Sequence, residues 1–175
     1  MFTKAGIEKY FIAEKQESLL FVMLGIAAIV IALMGLFYWK TQFWKGASIP
    51  LILIAVIQII VGYTVYARSD KQRSDLVYAF DMDPSKLQNE EVPRMEAVNK
   101  NFITYRWIEI ILFVAGIALA LVYRTNPDKQ LIFGVGVALA IEAALMLGAD
   151  FMAEKRAQSY SSELKSFLQK QSMKK

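Results

Sequence analysis

The sequence predicts an all-α polytopic membrane protein: four transmembrane helices in a bundle with helical cytoplasmic extensions. Three observations predict it. The 175-residue chain is 56% hydrophobic, too apolar for an ordinary soluble domain of this size. The excess sits in four runs, at 18–39, 47–67, 107–123 and 130–153. Lys and Arg are scarce in two of the three connections between those runs.

Each run, at about 1.5 Å per residue, covers most or all of a hydrocarbon core of roughly 30 Å. The first, SLLFVMLGIAAIVIALMGLFYW, follows an amphipathic segment of mixed charge. It exceeds a signal-peptide core in length and lacks a small-x-small cleavage motif, so a retained helix is expected. The second, ASIPLILIAVIQIIVGYTVYA, carries no charged residue and holds Gln58 near its middle. The third, WIEIILFVAGIALALVY, is the shortest and holds Glu109. The fourth is the most polar, with Glu142 and Asp150.

Helical periodicity continues beyond the runs. Ile7, Tyr10 and Phe11 precede the first, Leu76, Val77 and Phe80 follow the second, Met95, Val98 and Phe102 lead into the third, and Ala157, Tyr160, Leu164 and Phe167 follow the fourth. These stripes predict helices that project from the bilayer and either pack together there or lie on the lipid surface. In the central connection, 68–106, the stretch DMDPSKLQNEEVP (81–93) is expected to be a surface loop with a short helix at most. Asp83-Pro84 is its start signal, and Pro93 suits the first turn of the next helix. A calcium loop starting at Asp81 is excluded, because its sixth and twelfth positions are Lys86 and Val92, not Gly and Glu.

Sixteen of the twenty Lys and Arg residues lie in the amino-terminal segment, the central connection and the tail (154–175). The short connections hold only Lys40, Lys45, Arg124 and Lys129. The positive-inside rule then places both termini and the central connection in the cytoplasm, as an even number of spans requires. A bacterial inner membrane is the expected location. Trp39, Trp44 and Tyr123 mark the outer interface, and Tyr66, Tyr105 and Trp107 the inner one. The net charge of +4 follows this topology and does not signal nucleic acid.

The two hairpins match weakly. KYFIAEK (9–15) lies over KNFITYR (100–106), and the same offset sets Gly25 on Gly116. AVIQ (55–58) lies over LAIE (139–142), and Asp70-Lys71 over Glu154-Lys155. Two tandem hairpins related by an axis along the membrane normal would give this pattern; so would chance, since apolar sequence matches itself cheaply.

Without Cys or His, the chain has no disulfide, no conventional zinc or haem ligation and no Ser-His-Asp triad. No cofactor, metal site or catalytic residue is expected. LGAD (147–150) is faintly similar to the Gly-x-Gly-Asp signature of intramembrane aspartyl proteases. It departs at the first glycine, and no second intramembrane Asp is present to share a proton.

The intramembrane acids need partners, since an unpaired charge at the bilayer centre costs about 3 kcal/mol or more. Glu109 and Asp150, near the inner ends of their spans, are expected to reach head-group water or pair with Arg106. Glu142 lies near mid-membrane, at the depth of Gln58, and the two are expected to share a hydrogen bond with the carboxyl protonated. Gly136, Ala140, Ala144 and Gly148 form a small-residue ridge roughly opposite Glu142 on the same helix. Two faces unsuited to lipid suggest a second subunit, unless the helix is wedged between neighbours. Inward stripes are also expected at Gly25, Ala28, Ala32 and Gly35, at Ala55, Gln58, Gly62 and Tyr66, and at Glu109, Gly116 and Ala120.

Two functions fit. The first is a non-enzymatic membrane protein that acts as a scaffold, regulatory or accessory subunit, through homo-oligomers or another membrane protein. The second is a small cation- or proton-coupled transporter or channel using Glu142 with Glu109 and Asp150. It is similar to compact four-span exporters in size and buried Glu, and differs in its long extensions and in placing the acid in the last span.

Overall fold

The structure is a computed structural model that describes residues 2–173; Lys174 and Lys175, counted above among the tail charges, lie outside them. Four long helices make up the chain: α1 (Lys4–Met34), α2 (Gln42–Met82), α3 (Val92–Tyr123) and α4 (Gln130–Ser172). No strand occurs among the described residues. All four helices are long and apolar enough to cross a membrane. Each also runs well past its apolar part, so the molecule has a membrane-type half and a polar half, the head, that holds both terminal segments.

The hairpin turns have local causes. A π-helical turn at Gly35–Trp39 ends on Lys40, whose left-handed conformation (φ 55°) reverses the chain. Thr41 then caps α2, its hydroxyl accepting from the Trp44 amide at 3.3 Å. The indoles of Trp39 and Trp44 stack at 4.3 Å across this turn. In the second hairpin, Asn126 accepts from the Asp128 amide at 3.0 Å, and Pro127 opens the short helical turn that leads into α4.

The expectation of a loop at 81–93 is corrected. Only Asp83 leaves helical geometry; Pro84–Lys86 is an α turn and Leu87–Glu91 a π turn that runs directly into α3. Burial explains the difference. The wider turn points both Leu87 and Glu91 into the head, where they are 0% and 2% exposed. Pro93 does sit in the first turn of α3.

The apolar stripes outside the spans pack together. Ile7, Tyr10 and Phe11 of α1, Leu76 of α2, Met95 of α3 and Ala157, Tyr160 and Leu164 of α4 form one core with Phe2 and Leu87. Tyr10 and Tyr160 stack at 4.2 Å, and Phe80 and Phe167 at 5.2 Å. Fully burying one such side chain stabilises by roughly 1.5–3 kcal/mol, so the head is a helical core in its own right.

The spans are arranged differently from a closed bundle. Their buried cluster draws on α1, α2 and α4, and the order across the molecule is α1, α2, α4, α3. Parallel helices α2 and α4 form the centre, α1 lies along α2, and α3 lies along α4. Only 11% of the most apolar part of α3 is buried. Such exposure is expected where lipid, not water, is the solvent.

Candidate functional site

Glycine lets α2 and α4 meet. A Cβ at Gly46 would collide with the Leu131 carbonyl, and one at Gly134 with the Phe43 carbonyl. Close backbone approach at this end carries the two helices together to the depth of Gln58 and Glu142. There Gln58 Nε2 donates to Glu142 Oε2 at 3.1 Å. Both residues are buried, and the Gln58 carbonyl oxygen has no partner.

The other acids lie toward the head, in a cleft of about 310 Å³ between α3 and α4. Glu109 and Asp150 face one another there, beside Leu147, Gly148 and Phe151. Glu109 is 2% exposed, and no N–H donor reaches its carboxyl oxygens, which meet the Asp150 carboxyl instead. The expected pairing of these acids with Arg106 is therefore corrected. Arg106 Nη1 instead donates to both oxygens of Glu154 at 3.1 Å, because Glu154 presents a nearly buried carboxylate one turn beyond Asp150.

The small-residue ridge divides in two. Gly136 and Ala140 are in backbone contact with Gly116 and Ala120 of α3, where no Cβ would fit at either glycine. Ala144 is exposed, and a Cβ at Gly148 would meet nothing within 4 Å. α3 and α4 separate at that level, and the separation makes the cleft. Over its outer half, α4 is wedged with its Glu142 face on α2 and its ridge on α3. The two faces by themselves therefore do not require a second subunit. The stripe Gly25, Ala28, Ala32 and Gly35 is buried against α2, as are Ala55, Gln58 and Gly62 against their neighbours. Tyr66 departs from its stripe: it is exposed, with Lys15 Nζ 4.7 Å above its ring.

Sequence reasoning did not pair the charges around the head. Arg94 donates through Nε and Nη2 to the two oxygens of Glu91 at 2.7 and 2.8 Å. Burial opposes the Arg94 charge, but the paired carboxylate outweighs it and raises the guanidinium pKa further. Burial, with Glu91 nearby, also pushes the Tyr160 phenol up; burial and Glu14 do the same for Tyr10. Arg156 of α4 pairs with Glu17 of α1. Lys15 pairs with Asp70, a hydrogen bond that raises the ammonium pKa and lowers that of the carboxyl.

Two of these pairs had a signal. Lys15 and Arg106 end the matched heptapeptides, and Asp70 and Glu154 open the matched dipeptides. Each base bridges to the acid of its own hairpin, Lys15 to Asp70 and Arg106 to Glu154. Gln58 and Glu142, the third matched pair, meet each other between the hairpins. Comparison with known protein families, with curated proteins and with solved structures finds no match to this chain.

Proposed function

We propose that the chain is a non-enzymatic integral membrane module, two tandem helical hairpins that act by association with a second copy of the chain. The observation that carries this reading is a groove of about 260 Å³ between α1 and α4, over α2, in the outer half of the spans. Leu24, Ala27, Ile31, Ile141 and Leu145 form its walls, over a floor of the buried Ala28, Ala47 and Ala138. A concave apolar face in the membrane accepts the side-chain ridge of another helix by van der Waals packing, one of the forces by which helices associate in lipid. The packed head, fixed to all four spans, would present a rigid surface at the same end in both copies.

In this reading the charge distribution sets both termini and the head in the cytoplasm, and a bacterial inner membrane fits that topology. Copurification from mild detergent with mass determination tests association. Wild type is expected as a dimer. Ala27→Trp and Ile141→Trp, which fill the groove from exposed positions, are expected as monomers. A wild-type monomer without any bound protein sinks the reading; a different protein partner replaces the second copy.

Cation- or proton-coupled transport is the second reading, favoured by the buried Glu109 facing Asp150. Its use of Glu142 fits less well, because Gln58 already holds one oxygen of that carboxyl, although Glu142 also lines the α1–α4 groove. pH-gradient-driven cation uptake in proteoliposomes, lost on Glu142→Gln, would restore it.

A further inference from the structure

We propose that the cleft between α3 and α4 binds an ammonium group, carried by a membrane lipid or by a free amine, with Glu109 and Asp150 as its acceptors. The site is separate from the α1–α4 groove, so it stands or falls independently of association.

Three features define it. Glu109 is 2% exposed and lines the cleft, and no N–H donor reaches either of its carboxyl oxygens, which meet only the Asp150 carboxyl. Asp150 faces it, so two carboxyls lie side by side where the nearest base, Arg106, is held by Glu154. Two acids in weakly solvated surroundings cannot both ionise cheaply without a proton or a cation between them. The third feature is space: about 310 Å³, with Gly148 leaving one wall open.

The chemistry selects the cation. An ammonium is a compact charge with three donors, which two carboxyls can accept together. Calcium takes 6–8 oxygen ligands and magnesium near-octahedral geometry. No group of three or more His, Cys, Asp or Glu able to hold a metal occurs among the described residues. The volume far exceeds that of an ammonium alone, and Leu147 and Phe151 give apolar walls for the carbon skeleton that carries it. Glu109 lies two residues from Trp107 at the end of its span, the level of lipid head groups. The ammonium of phosphatidylethanolamine would meet the carboxyls there, with Arg106 beside its phosphate.

The test uses the full chain in nanodiscs of phosphatidylethanolamine with phosphatidylglycerol, or phosphatidylcholine with phosphatidylglycerol. Native mass spectrometry reads the lipid retained. A parallel arm adds ethanolamine to detergent-solubilised protein and follows its unfolding temperature. The lipid source predicts retention of phosphatidylethanolamine, but not of phosphatidylcholine, whose quaternary head group has no N–H. The free-amine source predicts an upward shift in unfolding temperature without lipid retention. The double variant Glu109→Gln, Asp150→Asn is expected to weaken either signal about tenfold or more, as loss of charged hydrogen bonds does. Gly148→Leu is a second variant that keeps both acids and fills the cleft, and it should weaken the signal too. Equal retention of the two lipids with no ethanolamine shift overturns the proposal. So does a signal that both variants leave unchanged.

Discussion

Gln58 and Glu142 join the two hairpins through a single side-chain hydrogen bond of 3.1 Å, buried between α2 and α4. The Gln58 carbonyl oxygen lacks a donor in this arrangement, and a protonated Glu142 carboxyl could supply one by turning its O–H toward it. A neutral amide at position 142 offers the same pairing. Glu142→Gln should therefore fold with near wild-type stability. Glu142→Leu should lose about 1–3 kcal/mol, because Gln58 is left buried and unpaired. Adding Gln58→Leu to Glu142→Leu should recover most of that loss. Detergent-phase unfolding of the four proteins checks the cycle; failure of Glu142→Gln to fold while Glu142→Asp folds normally rules out the clamp.

The glycines of α2 and α4 give a sharper contrast. Gly134→Ala puts a methyl group against the Phe43 carbonyl, and Gly46→Ala puts one against that of Leu131. Backbone cannot move aside as a side chain can, so each should cost about 1–3 kcal/mol or more. Gly148→Ala meets open space and should be neutral. Comparing unfolding temperatures of the three variants reads this directly. A destabilised Gly148→Ala with an unaffected Gly134→Ala would mean that α4 contacts its neighbours elsewhere.

Periodicity made the four long helices legible, since the apolar runs and the stripes flanking them needed only a repeat near 3.6 residues. The pairing of Gln58 with Glu142 followed from equal depth. What composition concealed was the segment 81–93, where Pro, Asp and Glu read as a loop while the burial of Leu87 and Glu91 holds it helical. The destination of Arg106 was also hidden. Its nearest acid in sequence is Glu109, but that residue turns into the cleft, and only the hairpin match pointed to Glu154. Nor could a helical wheel show that the ridge ends at Ala140, because divergence of α3 from α4 is a property of both helices.

Alkali should open the head. The Tyr10 and Tyr160 phenols are raised above their ordinary value of 10.0 by burial. A group raised on folding contributes stability that is complete below its unfolded pKa and falls away as pH climbs above it. The head should therefore be pH-insensitive through these tyrosines below about pH 10 and lose stability above it. In an absorbance titration of tyrosinate, a late phase should coincide with loss of helical signal. That phase should shrink in Tyr10→Phe and Tyr160→Phe. Ionisation of both tyrosines before any loss of helix would contradict the packing described.

The two matched ion pairs should differ in worth although they occupy corresponding positions. Arg106 meets a Glu154 side chain that is 7% exposed, whereas Asp70, the partner of Lys15, has a side chain that is 51% exposed. Removing one partner of a buried pair strands a charge, while an exposed pair is screened by water. Because Arg106 itself is 43% exposed, the full penalty of a buried pair does not apply, and Arg106→Ala should cost roughly 1–2 kcal/mol. Lys15→Ala should leave unfolding unchanged, and added salt should not alter that result. Arg106→Ala joined to Glu154→Gln should be more stable than Arg106→Ala alone, since the stranded carboxylate beside Asp150 is gone. A Lys15→Ala protein as unstable as Arg106→Ala would show that exposure does not govern the two pairs.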